Sequence, residues 1–423
     1  MSLKATSTNT IQPSATQKSN FDLSFGCKTE EKLYSLKKIF ESNPDVDGYL
    51  VCDPANVSWL INERAYDNDS LSVHHSAFIT QNMEIMLLDE IIFPPAREKH
   101  NLLETYTKIT QMLHDISPMN RVVLCDSVTL SKICQAYQQN EKECSILYTE
   151  NHILQQRSIK NAAEIESCKK LQRLDALVVS EFITWIHKHA GTITHLQAQE
   201  ALLRIRKSHP EYIRESFPMI IASQQHSAEI HYDLRQHPNE IIHSWLMLDI
   251  GAQYYGATTD MTRTICLHDH PSETQKQAYT AVLKGHIALC TAKVLSTTSS
   301  SNIDTIARHH LWKIGYDYPH ATGHGVAMMG PVHETPPVIS PRAQQPLQQN
   351  MLLSNEPGFY SADFGVRLEG LMITTIAPDS NYLCFDMLTF IPFDEKLIIQ
   401  QELTYAEKIW LDEYHHQCSM IVV

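Results

Sequence analysis

Apolar positions change their spacing several times along the chain, and each change marks an element. Glu30, Leu33, Leu36 and Ile39 form an irregular helical stripe, so a helix opens the first ordered unit near Lys28. Gly48-Tyr49-Leu50-Val51-Cys52 is β-prone and predicts a strand, after which Asp53-Pro54-Ala55-Asn56 supplies a turn before the apolar run Val57–Ile61. Ala77–Thr80 and Ile85–Leu88 predict a strand pair separated by the mostly polar Gln81-Asn82-Met83-Glu84, and Arg121–Cys125 adds another run. With helical segments between them, these strands predict a small N-terminal α/β domain over residues 28–155. Residues 1–27 read as a flexible extension, because their first twenty positions are rich in Ser, Thr and Gln.

The pattern lengthens after Ser158. Asn161 is placed to cap a helix starting at Ala162, with Glu164 in the capping-box position. Ile165, Cys168, Leu174, Val178, Phe182 and Trp185 then recur at helical spacing towards Gly191, which suits the helix end. A second helix is predicted from Leu196 to Lys207, before His209-Pro210, and beyond it the chain is strand-rich. The second domain is expected over 156–423.

Composition narrows the function classes. The 423 residues suffice for two or three domains at roughly 150 residues each, and 43% hydrophobic with 19% charged residues suits a compact protein. A net charge of −14 without a basic tract argues against binding to phosphate backbones, so no nucleic-acid partner is expected. The ten cysteines lack paired spacing and imply no disulfide framework. The opening residues lack the apolar core of a secretory signal, and no apolar run reaches membrane-spanning length. A cytoplasmic, reduced protein with no membrane partner is the expectation. The 23 histidines raise the weight of metal or acid–base chemistry without locating it.

Location comes from the carboxylates. Trp245–Gly251 is a hydrophobic strand carrying Asp249 near its end, and Asp260 follows after Tyr254-Tyr255-Gly256. A hairpin centred at 254.5 would set Asp249 and Asp260 directly across the ladder on one face. Two ionised carboxylates so placed repel, and a divalent cation resolves the conflict. Each alone also reads as a solvated acid beside a turn. Downstream, Thr322-Gly323-His324-Gly325-Val326 sets an imidazole between residues that permit close backbone approach, and His333-Glu334 follows. His324 suits a metal ligand and His333 a substrate contact or proton carrier. Gly323-His324-Gly325 is not a dinucleotide fingerprint, because the third glycine and the strand–helix context are missing. Glu356 in Asn355-Glu356-Pro357-Gly358 and Glu369 in Gly365-Val366-Arg367-Leu368-Glu369 can meet across a longer hairpin or bend. Four carboxylates and one histidine fit a pair of divalent ions, with manganese, cobalt and zinc all open.

These stretches together resemble the dinuclear metallopeptidases of the creatinase-like, pita-bread family. Within it, Tyr382–Pro392 and Trp410–His415 point to the Xaa-Pro aminopeptidase branch. The likeness is strong from Ser158 to His415 and weaker before. It implies a pita-bread α/β catalytic domain, removal of the residue preceding a proline from peptide substrates, two divalent ions with manganese foremost, and a homodimer. Residue by residue, it implies Asp249 as terminal metal carboxylate, Asp260 and Glu369 as bridging carboxylates, His324 as imidazole ligand, and Glu356 as ligand and general base. His231 and His333 match substrate-positioning histidines, and Arg367 a supporting residue. Gly370 and Ala327 depart from frequent family residues without removing a ligand. The longer three-domain relatives carry a further N-terminal domain that residues 28–150 cannot supply. A Xaa-Pro dipeptidase and a non-catalytic peptide-binding homologue are the competing expectations.

Overall fold

The computed structural model describes residues 26–64, 71–73, 75–88, 122–127, 131–132, 145–267, 270–378 and 380–422. Residues 1–25 of the predicted extension, Arg121 and the segments 91–120 and 133–144 lie outside them. The chain divides into two compact units, Met1–Arg157 and Ser158–Val423.

In the first unit the Leu33/Leu36 stripe becomes helix α1 (Thr29–Ser42), whose Leu33, Leu36 and Phe40 are buried. The predicted turn at Asp53–Asn56 is instead the start of helix α2 (Pro54–Ile61): the Asp53 carboxylate accepts from Ala55 N and Pro54 occupies the first turn, where its missing N–H costs nothing. Strands β1 (Val46–Val51), β2 (Ser76–Thr80), β3 (Ile85–Leu88), β4 (Val122–Cys125) and β5 (Ser145–Tyr148) form one sheet in the order β3-β2-β1-β4-β5. The β1–β2 and β2–β3 pairs are antiparallel, whereas β4 runs parallel to β1 and to β5. Tyr49, Val51, Val57, Trp59 and Ile79 pack with the α1 stripe as this unit's core.

The second unit opens on helix α3 (Ala162–His189). Its capping box is closed both ways: Glu164 N donates to Asn161 Oδ1 at 3.0 Å and Asn161 N to Glu164 Oε2 at 2.9 Å. Cys168, Val178 and Phe182 lie on its buried face, with Ile165, Leu174 and Trp185 along the border. The helix ends at Ala190, one residue before Gly191. Helix α4 (His195–Lys207) follows, capped by Thr194.

The strands come next: β6 (Tyr212–Glu215), β7 (Ile220–Ser223), β8 (Trp245–Ile250), β9 (Ala252–Tyr254), β10 (Ala257–Thr258) and β11 (Met261–Cys266). Helices α5 (Glu273–Cys290) and α6 (Ser300–Trp312) flank β12 (Val294–Leu295). Then follow β13 (Gly323–Gly325), β14 (Glu334–Ile339), β15 (Leu352–Asn355), β16 (Gly358–Tyr360), β17 (Gly365–Arg367), β18 (Gly370–Ile376), β19 (Tyr382–Met387) and helix α7 (Tyr405–Val422). They form sheets ordered β10-β9-β6, β11-β8-β7, β12-β19-β18-β15-β13-β14 and β16-β17. Leu246, Met247, Leu248 and Ile250 of β8 join α3 and α4 in one core, while Trp245 joins Tyr279 and Val282 of α5 and Tyr414 of α7 in another.

Register sets the carboxylates. In the first hairpin Ala257 faces Tyr254 across a Tyr255-Gly256 turn, with Gly256 at φ 115°, a conformation open chiefly to glycine. The ladder continues with Ile250 opposite Met261 and Asp249 opposite Thr262. The hairpin is therefore centred at 255.5 rather than the expected 254.5, and Asp260 lies diagonally from Asp249, two residues along the same face. In the second hairpin Gly358 pairs with Arg367 and Asn355 with Gly370, a single register that sets Glu356 opposite Glu369.

Candidate metal centre

The carboxylates stand at strand ends: Asp249 near the end of β8, Asp260 just before β11, Glu356 just after β15 and Glu369 between β17 and β18. The two hairpins dock through backbone donors of the second: Glu369 N donates to Thr262 O at 3.0 Å, and Arg367 N to the Thr264 side-chain Oγ1 at 3.1 Å. The buried Arg263 donates through Nη1 to Glu369 O (2.6 Å) and through Nε and Nη2 to Ile391 O, holding the backbone under Glu369.

His324 arrives from the third direction on β13. A Cβ on Gly323 would lie 2.1 Å from Ser354 O, and one on Gly325 would lie 2.4 Å from Glu334 O, so only glycines let β13 sit this close between β15 and β14. His324 N donates to Ser354 Oγ at 2.9 Å, and Glu356 N donates to Thr322 O at 2.8 Å. His324 Nδ1 lies 2.9 Å from Gly325 O, which fixes Nδ1 as the protonated nitrogen and turns Nε2 inward. Nε2 is 3.4 Å from Asp260 Oδ2 and 3.4 Å from Glu356 Oε1. Asp260, His324 and Glu369 offer ligand atoms all within 4.8 Å of one another.

The electrostatics are those of a crowded anionic site. Burial pushes the Asp260 carboxyl up against the opposing pull of His324. Burial raises Glu356 to about 7, with His324 and Arg367 holding it from going further. Glu369 is pushed well above the carboxylate range by burial and by Asp260, Glu356 and Asp249. For His324 burial alone would favour the neutral ring, but the hydrogen bond to Asp260 and the Glu356 and Asp260 charges prevail and raise it to about 9. Protons are thus retained where carboxylates converge, and a cation supplies the same neutralisation with oxygen-rich ligands. The donor set therefore fits divalent metal.

Asp249 is held by the Arg367 guanidinium, which pairs with it through Nη2. The same guanidinium donates through Nη1 to Tyr360 OH at 2.7 Å and through Nε to Thr262 Oγ1 at 3.2 Å. Thr262 in turn donates to Glu369 Oε2 at 2.7 Å. His333 sets its ring edge-on to His324, 4.2 Å between centroids; shielding on its inner side, with His324 adjacent, pushes it down to about 4, so it is neutral at pH 7. His231 is exposed at the cleft wall. All eight expected site residues line a single cleft of about 600 Å³.

Three participants were not expected. His320 also lines the cleft; its Nδ1 is 2.8 Å from Ala321 O and its Nε2 is 2.9 Å from Tyr360 OH. Burial pushes His320 down to about 4 and Tyr360 up to about 12, so both are neutral at pH 7. The hydrogen bonds then run one way, from Arg367 to Tyr360 to His320 to Ala321 O. Thr262, the third, ties Arg367 to Glu369. His320, four residues before His324, carries only that spacing as a signal; Thr262 lies in the motif that follows Asp260 but has no role assigned there, and Tyr360 carries none.

Comparison with known proteins bears on this geometry. The profile of "Metallopeptidase family M24" matches residues 166–375, that of the C-terminal region of the same peptidase family 381–422, and that of the "Creatinase/Prolidase N-terminal domain" 12–164. The chain is 31% identical over 421 residues to a "Probable Xaa-Pro aminopeptidase P" of Arthroderma gypseum, covering 92% of this chain and 65% of that protein. It is 29% identical to "Xaa-Pro aminopeptidase 1" of Dictyostelium discoideum, covering 93% and 65%. The chain thus spans just under two thirds of those relatives. Among solved structures, the X-prolyl aminopeptidase of Caenorhabditis elegans, titled a cytosolic enzyme with a di-nuclear active site, superposes with a TM-score of 0.83 at 26% identity over 95% of this chain and 68% of that one. The Xaa-Pro dipeptidase of Bacillus anthracis shares the fold at 18% identity, with a TM-score of 0.67 over 88% of this chain and all of that one. With a creatinase-type N-terminal domain, a mixed α/β pita-bread domain and a buried Asp–His–Glu cluster at its centre, the chain belongs to metallopeptidase family M24 and is homologous to the Xaa-Pro aminopeptidases.

Proposed function

We propose that this chain is a dinuclear metal-dependent aminopeptidase that releases the N-terminal residue from peptides with proline in second position. The observation that carries this reading is the convergence of Asp249, Asp260, His324, Glu356 and Glu369 on one cleft, with His324 Nε2 aimed between Asp260 and Glu356. These five residues would hold two ions. Bound there, the ions supply Lewis acidity towards the scissile carbonyl and lower the pKa of water.

The chain's own residues do the rest. Glu356 accepts the proton of the attacking water at a carboxylate oxygen and passes it to the departing nitrogen. His333, neutral beside His324, and His231, which also lines the cleft, orient the substrate carbonyl. Arg367 fixes Asp249 and, through Thr262, the rotamer of Glu369. Phe217, Ile230, Val332 and Val338 offer the cleft apolar surface suited to a pyrrolidine ring. An oxygen-rich set with one imidazole suits manganese, and cobalt or zinc can fill the same ligands. Assembly as a homodimer follows the family resemblance. A cytoplasmic location is supported by the cytosolic description of the C. elegans enzyme; among the described residues no helix is long and apolar enough to cross a membrane.

The deciding experiment is a panel of Xaa-Pro dipeptides and Xaa-Pro-Xaa peptides, assayed after chelation and after separate return of manganese, cobalt and zinc. Metal-dependent release of the first residue from the longer peptides is expected. Hydrolysis confined to the dipeptides would make this a dipeptidase, and metal binding without hydrolysis would make it a peptide-binding homologue.

A further inference from the structure

We propose that His226, His237 and Glu240 form a separate zinc site that ties together the two ends of the segment bearing His231. Their ligand atoms lie within 4.8 Å of one another, outside the carboxylate cluster. His226 Nε2 is 2.7 Å from Glu240 Oε2, and its Nδ1 is 3.0 Å from Glu229 Oε1. The Nδ1 contact to Glu229 is the kind that fixes a metal-bound imidazole, while Nε2 and Glu240 would exchange their mutual hydrogen bond for the ion. The His226 and His237 rings stack face to face with centroids 4.6 Å apart at 27°, so His237 is adjacent and has to turn out of the stack for its lone pair to meet the same ion. Zinc bonds of about 2.0–2.2 Å place neighbouring ligand atoms roughly 3–3.5 Å apart. His226 and Glu240 are near that spacing, and the exposed His237 closes the rest by side-chain rotation. Its exposure also gives the ion a way in.

Chemistry separates this site from the cleft. Two imidazoles and one carboxylate, with open positions for water, select zinc over manganese, whereas four carboxylates and one imidazole do not discriminate against manganese. Residues 227–236 lie between the two histidines, and Ile230, His231 and Arg235 from that stretch line the cleft. Tyr232, stacked 4.7 Å from His226, meets His195 Nδ1 at 3.1 Å through its hydroxyl. Zinc bridging His226 and His237 closes this stretch into a short loop and restricts the motion of His231. The effect on substrate rests on the function proposed above, but zinc binding does not.

The test uses the manganese-loaded full chain, dialysed against rising zinc, with both metals counted per chain by mass spectrometry and amide exchange followed over 227–236. The wild type is expected to take up one zinc equivalent while keeping its manganese, with slower exchange in that segment. His237→Gln, exposed and outside the cleft, should keep its manganese-supported activity, bind this zinc at least tenfold more weakly and lose the slowing. Equal zinc uptake by wild type and His237→Gln would overturn the site, and so would uptake only by displacement of manganese. The readout is the difference between the two proteins, so it does not depend on how many ions the cleft holds.

Discussion

Glu356 and Arg367 serve the same cleft through different chemistry, and substitutions separate them. Glu356→Gln keeps the shape but cannot take a proton, so kcat should fall by roughly 10²–10⁴-fold with the fold intact by circular dichroism. Near-normal turnover in that variant would remove Glu356 from proton transfer. Arg367→Lys keeps the charge but loses the fork that reaches Asp249, Tyr360 and Thr262, so metal affinity should drop by about 10–100-fold in calorimetric titration. An unchanged affinity would mean that Asp249 needs no such support. The eight cleft residues were legible in the sequence because each is a chemically distinctive type within a short motif. His320, Tyr360 and Thr262 were not, because their contribution is a hydrogen-bond direction that exists only once β11, β13, β16 and β17 have met.

At the scale of elements, the approach of β13 to β15 is a tight constraint. Gly323→Ala places a methyl against Ser354 O, so β13 must shift, and a loss of about 1–3 kcal/mol in denaturant unfolding is expected, together with weakened metal binding as His324 moves. Helix α5 carries a second test. Burial beside Phe393 and Trp410 pushes His286 down to about 3 from the ordinary 6.5. The unfolded chain therefore binds a proton that the folded one refuses, and stability drops as pH falls from 6.5 towards 3, by about 1.4 kcal/mol per pH unit in that window. His286→Leu should flatten this slope; an unaltered acid limb would exclude His286 as its source. Strand positions and the Asn161 capping box were readable from local pattern. The hairpin centre was misplaced by one residue because facing carboxylates were assumed, whereas Gly256 sets the turn and a diagonal pair shares the face equally well. Asp53-Pro54 suits a turn as well as a helix start, because the same residue types begin turns and cap helices.

For the whole molecule, the clustered carboxylates make stability a function of metal. Chelation leaves Asp260, Glu356 and Glu369 buried together with only His324 and Arg367 to offset them, so Tm should fall with chelator and recover with manganese. At a hundredfold excess over Kd the gain is about 2.7 kcal/mol. A Tm indifferent to metal would count against the dinuclear reading. The constant register of the second hairpin carries a further consequence for engineering. Its tip, Ala362 and Asp363, is exposed, and the spacing of Glu356 and Glu369 is set by the arms rather than by the tip. Because side chains alternate faces, deleting one residue from either arm would turn a carboxylate away from the cleft. Extra residues spliced in at Ala362-Asp363 leave that parity untouched, so a tag or fluorophore grafted there would sit near the chemistry as a bystander.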